Sequence, residues 1–208
     1  MGTVYVDLGR AEGVMPPEEQ IPGEQLHPGR PVLVVIMEAQ RNARQAQVRV
    51  SRASRMFVHR LLEAEVPEIK AGTVQVRAIA REPGLRTKIG VSSSQAGLDP
   101  VGACVGPKGV RHRAILSELG SEHIDIVPWS DDAEEFVASS LGPAKPEAVT
   151  IDRMTRTATV LVPRAQLSLA IGRDGQNARL AAKLTGFRID IKASDADEAS
   201  SGGDEATA

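Results

Sequence analysis

Apolar positions along the chain first alternate in short runs, then recur every three to four residues, then alternate again. Val4-Tyr5-Val6-Asp7-Leu8 closes at Gly9, Gly13-Val14-Met15 ends at Pro16-Pro17, residues 32–37 are almost continuously apolar, and residues 46–51 alternate. Pro22-Gly23 and Pro28-Gly29 mark turns between them. This pattern predicts four strands and no helix before residue 53. A small barrel of this type closes with five strands, so the pattern predicts one that is a strand short at its beginning, with the unpaired edges that this leaves.

From Ser54 the period changes. Phe57 with Leu61 and Val58 with Leu62 are i/i+4 pairs on one helical face that ends near Val66-Pro67. Residues 73–81 then alternate, with Val74, Val76, Ala78 and Ala80 on one side and Gln75, Arg77 and Arg81 on the other. Pro83-Gly84 turns the chain into a second strand over 86–93, which makes a hairpin. Asp99-Pro100 is a helix start, with an aspartate cap and proline at the first helical position. A short helix runs to Gly106-Pro107-Lys108-Gly109, a second covers 110–119, and Ile124-Asp125-Ile126-Val127 is a closing strand.

The same order then recurs. A helix is expected over 131–141, strands over 148–152 and 158–162, a short helix over 166–171, a break at Gly172-Arg173-Asp174-Gly175, a helix over 176–184, and a closing strand at Ile189-Asp190-Ile191. Gly106 aligns with Gly172, Gly109 with Gly175, Arg113 with Arg179 and Gly120 with Gly186, all at an offset of 66. Such self-similarity marks two copies of one structural unit.

Each unit places two glycines three apart between two helices. Glycine permits positive φ and lets the backbone approach a ligand closely. A helix start offers outward N–H groups to a phosphate, with little preference among nucleotides. Lys108 in the first loop and Arg173 in the second add charge. Arg111 and Arg113 follow the first loop, and Arg179 and Lys183 form an i/i+4 basic ridge after the second. Val105 and Ile171, just ahead of the loops, supply an apolar floor for a base. The candidate nucleic-acid contacts are therefore Val105, Gly106, Pro107, Lys108, Gly109, Arg111 and Arg113 in the first unit. In the second they are Ile171, Gly172, Arg173, Asp174, Gly175, Gln176, Asn177, Arg179 and Lys183. Asp174 opposes phosphate; it is expected either to cap the following helix or to read a base edge.

Composition narrows the ligand. Of 208 residues only Tyr5, Phe57, Trp129, Phe136 and Phe187 are aromatic, which is 2% of the chain. Binding by a row of stacking rings is excluded, whereas a glycine-loop clamp needs no rings. After Lys192 come five acids and no base, so a mildly basic body carries an acidic, low-complexity tail that is expected to be disordered. The single cysteine, Cys104, rules out an internal disulfide and fits a reducing compartment. No run approaches the roughly 18 apolar residues of a membrane span. These features predict a cytoplasmic protein with no membrane contact. Cys104 is expected to be a buried small side chain. His27, His59 and His123 lack metal-ligand spacing, and His112 is expected either at the ligand or in solvent. Trp129 is expected to pack between the two repeated units. No cofactor motif and no catalytic constellation is present in the sequence.

The arrangement resembles the KH domain in its bacterial (type II) form, with the hairpin ahead of the glycine-loop helices. Residues 99–109 resemble the first, and residues 167–181 the second, of the tandem KH domains of the NusA family of transcription elongation factors. The strand-rich start, including Glu12-Gly13-Val14-Met15-Pro16 and Gln20-Ile21-Pro22-Gly23-Glu24, resembles that family's OB-fold barrel. The resemblance implies an α+β chain: a partial barrel over 1–53, a first KH domain over 54–129, a second over 130–192 and a tail over 193–208.

It further implies a non-catalytic factor that holds single-stranded nascent RNA, influencing pausing, termination and antitermination. The family's N-terminal domain, which docks on RNA polymerase, has no counterpart here, and a truncated fragment or a misplaced start is the expected reason. RNA polymerase is thus a partner by resemblance only. An accessory module of an RNA-processing enzyme such as an exoribonuclease, and a protein-interaction scaffold, remain as alternatives.

Overall fold

The computed structural model describes residues 2–41 and 46–194. Most of the expected tail, from residue 195 onward, lies outside the described residues. The described residues divide into two compact units, one lying within residues 1–75, 81–87 and 93–124 and the other within residues 76–80, 88–92 and 125–208.

The first unit opens with β1 (Val4–Asp7), β2 (Glu12–Met15), β3 (Val35–Arg41) and β4 (Ala46–Ser51). They form one sheet in the order β1-β2-β4-β3, with β1 antiparallel to β2, β2 parallel to β4 and β3 antiparallel to β4. The sheet is open, with β1 and β3 at its edges. Met15, Val48 and Val50 are its buried core, backed by Val4, Val6, Leu8 and Val34. The third strand begins three residues later than the apolar run suggested. The Leu33 carbonyl accepts from the Arg52 guanidinium, and ladder pairing starts only at Val35 opposite Ser51.

Helix α1 (Arg55–Glu65) starts where Ser54 Oγ accepts from the Met56 amide, and it buries Phe57, Val58, Leu61 and Leu62. A further turn, α2 (Pro67–Lys70), follows from proline at its first position. Next come β5 (Val74–Glu82), β6 (Arg86–Ser93), α3 (Pro100–Val105), α4 (Val110–Leu119) and β7 (His123–Pro128), with sheet order β5-β6-β7. The Asp99 carboxylate caps α3 by accepting from the Val101 amide, as expected.

The repeat then runs through α5 (Ala133–Ser140), β8 (Ala148–Asp152), β9 (Thr157–Pro163), α6 (Leu167–Ile171), α7 (Gln176–Thr185) and β10 (Arg188–Ser194). Strand β9 is central, antiparallel to β8 and parallel to β10. A parallel pair needs a crossover, and here α6, the glycine loop and α7 are that crossover. Backbone pairing continues β10 through Ser194 opposite Pro163, beyond the point where apolar side chains thin out. Val137, Leu141, Ala158, Val160, Val162, Ala170 and Ala181 form the core of this repeat. This is an α+β fold.

Buried charges are paired inside each unit. Arg81, which strand alternation placed outward, is buried. Its guanidinium donates to Glu122 Oε1 and Oε2 at 2.8 and 2.9 Å and to the carbonyls of Arg52 and Ser54. Glu122, 1% exposed, also accepts from the Thr87 hydroxyl at 2.6 Å and the Gly84 amide at 2.9 Å. In the other unit the fully buried Lys88 places its ammonium 3.1 Å from Asp125 and 3.0 Å from the Gly142 carbonyl. Trp129 packs as expected between the repeats: its ring centroid lies 6.2 Å from that of Phe136, beside a cluster of Ala80 and Val127 with Leu180 and Leu184. The Arg77 guanidinium lies 4.0 Å over its face.

Candidate nucleic-acid interface

The two glycine loops have one backbone conformation. Gly106 (φ 73°, ψ 170°) matches Gly172 (φ 76°, ψ 171°), and Gly109 (φ 74°, ψ 19°) matches Gly175 (φ 71°, ψ 12°). Between them, Lys108 (φ 52°, ψ 24°) and Asp174 (φ 51°, ψ 28°) are both left-handed, a conformation uncommon away from glycine. In each loop the second glycine amide donates to the carbonyl of the first, at 3.0 and 3.2 Å. The amides of Val110 and Gln176 likewise close onto Pro107 and Arg173. These four amides are thus bonded within the loops and are not free donors, in contrast to the outward N–H groups that the sequence predicts.

The helix after each loop braces it twice. At the fifth position after the first glycine stand Arg111 and Asn177. Arg111 Nη1 donates to the Ala103 carbonyl at 2.6 Å and to Glu68 at 2.8 Å. Asn177, 1% exposed, donates to the carbonyls of Ala170 at 3.0 Å and Leu141 at 2.9 Å. Both satisfy carbonyls at the end of the preceding helix, which would otherwise lack partners. The first glycine packs directly on this brace: a Cβ there would lie 2.7 Å from Arg111 Cγ in one loop and from Asn177 Cβ in the other. The second brace is Arg113 Nη1 to the Lys108 carbonyl at 2.6 Å, mirrored by Arg179 Nη1 to the Asp174 carbonyl at 3.2 Å.

Residues 52–129 match the model of the NusA-like first KH domain, and residues 133–199 that of the NusA-like second KH domain. The chain belongs to the NusA family. The transcription termination/antitermination protein NusA of Bacillus subtilis is 50% identical over 189 residues, covering 91% of this chain and 51% of that protein. The protein of the same name from Thermus thermophilus is 46% identical over 201 residues, covering 95% and 52%. That of Borreliella burgdorferi is 42% identical over 194 residues, covering 93% and 40%. The chain thus spans about half the length, or less, of these curated relatives. The solved structure of APE1850, with TM-score 0.48 and 22% identity over 66% of this chain and 96% of that one, is too distant to bear on the fold.

In the first NusA-type KH domain, Pro107, Lys108 and Arg113 are exposed, while Val105, Gly106, Gly109 and Arg111 are half-buried. In the second, Arg173, Asp174, Arg179 and Lys183 are exposed, Ile171 is 37% exposed, and Gly172, Gly175 and Gln176 are half-buried. Asn177 is the one candidate that the fold buries outright. Asp174 does not cap α7: the cap position falls to Gly175 and carries no side-chain bond. The aspartate sits one residue too early and in the wrong backbone region to act as a cap.

Three residues beside the loops escaped the sequence reading. Val110, just after the second glycine of the first loop, and Leu169, three residues before the first glycine of the second, are 54% and 46% exposed. Glu68 acts at a distance, by holding Arg111. The positions of Val110 and Leu169 next to the glycines were a usable signal; nothing local marked Glu68. Cys104 is the fully buried residue of α3, and burial, then the Glu68 carboxylate, push its thiol up to about 11, which makes it an unreactive core residue. His112 Nε2 lies 3.2 Å from the Ile124 carbonyl, so that side chain is held against the closing strand. Among the described residues no group of three or more His, Cys, Asp or Glu could hold a metal, and no helix is long and apolar enough to cross a membrane.

Proposed function

We propose that this chain is a non-catalytic, cytoplasmic RNA-binding factor. It holds single-stranded nascent RNA at its two glycine loops and thereby modulates pausing, termination and antitermination of transcription. The observation that carries the reading is the repetition, at matched positions of two NusA-like KH domains, of one loop conformation with exposed cations around it. The family supports the process: the relatives are named transcription termination/antitermination proteins. RNA polymerase enters as a partner through the resemblance alone. The contacts are assigned to the candidate residues of both loops, with Arg111 and Asn177 acting by shaping the loop. The domain division proposed is a partial barrel over 1–53, KH domains over 54–129 and 130–192, and a tail over 193–208. Two clamps on one chain gain from effective concentration, so each can be weak alone. An accessory module of an RNA-processing enzyme draws no support from the family match.

The reading is tested by fluorescence anisotropy of a labelled single-stranded RNA of a dozen nucleotides across a salt series. Saturable binding is expected, with a log–log slope of about −2 to −3, because roughly three to four phosphates are neutralised at about 0.7 each. A slope near that of a highly basic binder, or no binding at low salt, contradicts it.

A further inference from the structure

Lys108 and Asp174 occupy the same place in the two loops with the same left-handed backbone, so their side chains leave the two loop frames in the same direction. Both are exposed, and they carry opposite charge. The ordinary employments of a loop aspartate are closed to Asp174. It caps no helix. Its carboxylate makes no hydrogen bond or ion pair among the described residues; the neighbouring Arg179 donates to its backbone carbonyl instead. The left-handed backbone accounts for a short polar residue there, but asparagine would meet that need without charge. The negative charge is what requires a reason, since it repels the phosphate that Lys108 attracts in the first loop.

We propose that Asp174 makes the second loop select a base bearing an exocyclic amino group over uracil, while Lys108 gives the first loop its hold on phosphate. The inference rests on the RNA-binding reading above and deepens it. An ionised carboxylate only accepts hydrogen bonds. Cytosine N4 and adenine N6 present donors to it, as an acid reads cytosine in duplex recognition. Uracil presents a carbonyl oxygen at the corresponding place and is repelled. Ile171 and Leu169, both exposed ahead of this loop, give the base an apolar surface to lie on. The two loops then divide the work, the first supplying sequence-independent grip and the second discrimination.

The test compares oligocytidylate and oligouridylate of twelve nucleotides, which differ at position 4 and N3 of the base; the Asp174 variants separate the carboxylate's share from any difference in stacking. The wild-type chain is expected to bind the cytidine strand about tenfold more tightly, the discrimination of one good base contact. Asp174→Asn, which keeps size and backbone tolerance, is expected to bring the ratio to about one to twofold. Asp174→Lys is expected to tighten binding to both strands, abolish the preference and steepen the salt slope by about 0.7. Lys108→Gln is expected to flatten the slope and leave the preference in place. Equal binding of the two strands by the wild type, or a preference that survives both Asp174 substitutions, overturns the inference while leaving RNA binding standing. Binding of neither strand overturns the RNA-binding reading itself. Asp174 is exposed and its carboxylate has no partner among the described residues, so circular dichroism of the variants should match the wild type.

Discussion

A chain carrying Gly109→Asp and Gly175→Asp is expected to lose affinity for single-stranded RNA by about 100-fold, taken as about tenfold per loop. Its fold should survive. A Cβ at Gly175 meets no atom within 4 Å, and one at Gly109 meets only the tip of the Arg113 guanidinium at 3.2 Å. The cost to the fold is that of a left-handed non-glycine residue, about 1–2 kcal/mol at each site. The cost to binding is larger, because each substitution sets a carboxylate beside the ligand and pulls the loop from its conformation. The first glycines are poorer places for this experiment. With a Cβ 2.7 Å from Arg111 Cγ or Asn177 Cβ, substitution at Gly106 or Gly172 dismantles the brace and confuses lost binding with lost structure. Anisotropy titration, with thermal melts as the control on folding, reads the result. Undiminished affinity in a folded double variant would remove the loops from the site.

The second large effect concerns stability. Glu122→Gln is expected to destabilise the first unit by about 3–5 kcal/mol, the range for breaking a buried ion pair on one side. All four bonds to the Glu122 carboxylate are lost or compromised. Two come from Arg81, one from the Thr87 hydroxyl and one from the Gly84 amide, and a carboxamide offers a donor where one of these acceptors was required. Arg81 is then left charged and buried. Replacing both partners, as Arg81→Met with Glu122→Leu, should recover only part of the loss. The carbonyls of Arg52 and Ser54 and the Gly84 amide would still lack their partners. Urea unfolding reads both variants; a Glu122→Gln chain that unfolds at the wild-type midpoint would show that the network does not stabilise the fold.

What was legible in the sequence was local or repeated. The glycine spacing, the Asp99 cap, the i/i+4 face of α1 and the hairpin of β5 and β6 depend on neighbours in the chain. The offset of 66 doubled the weight of each such signal in the second repeat. What was not legible depends on distant residues. Arg81 obeys strand alternation, yet it is buried because the backbone of Arg52 and Ser54 and the side chain of Glu122 close over it. Leu33 looks like strand until the Arg52 guanidinium takes its carbonyl. Arg111 and Asn177 hold one structural position, but an ion pair with Glu68 supports the first and buried amide bonds support the second, so residue type concealed the equivalence. Their polar character pointed to a ligand, whereas their donors turn inward. Asp174 shows the same lesson in reverse: the helix cap was the ordinary reading, and the left-handed backbone excludes it.

The central claim is that RNA is held at the two glycine loops. Titration of the isotope-labelled chain with a short single-stranded RNA, followed by backbone amide shifts, tests it most directly. The largest shifts are predicted in residues 105–113 and 171–183, saturating together at one affinity. Shifts confined to the first sheet, or a titration that leaves Lys108 and Arg173 unmoved, would contradict it.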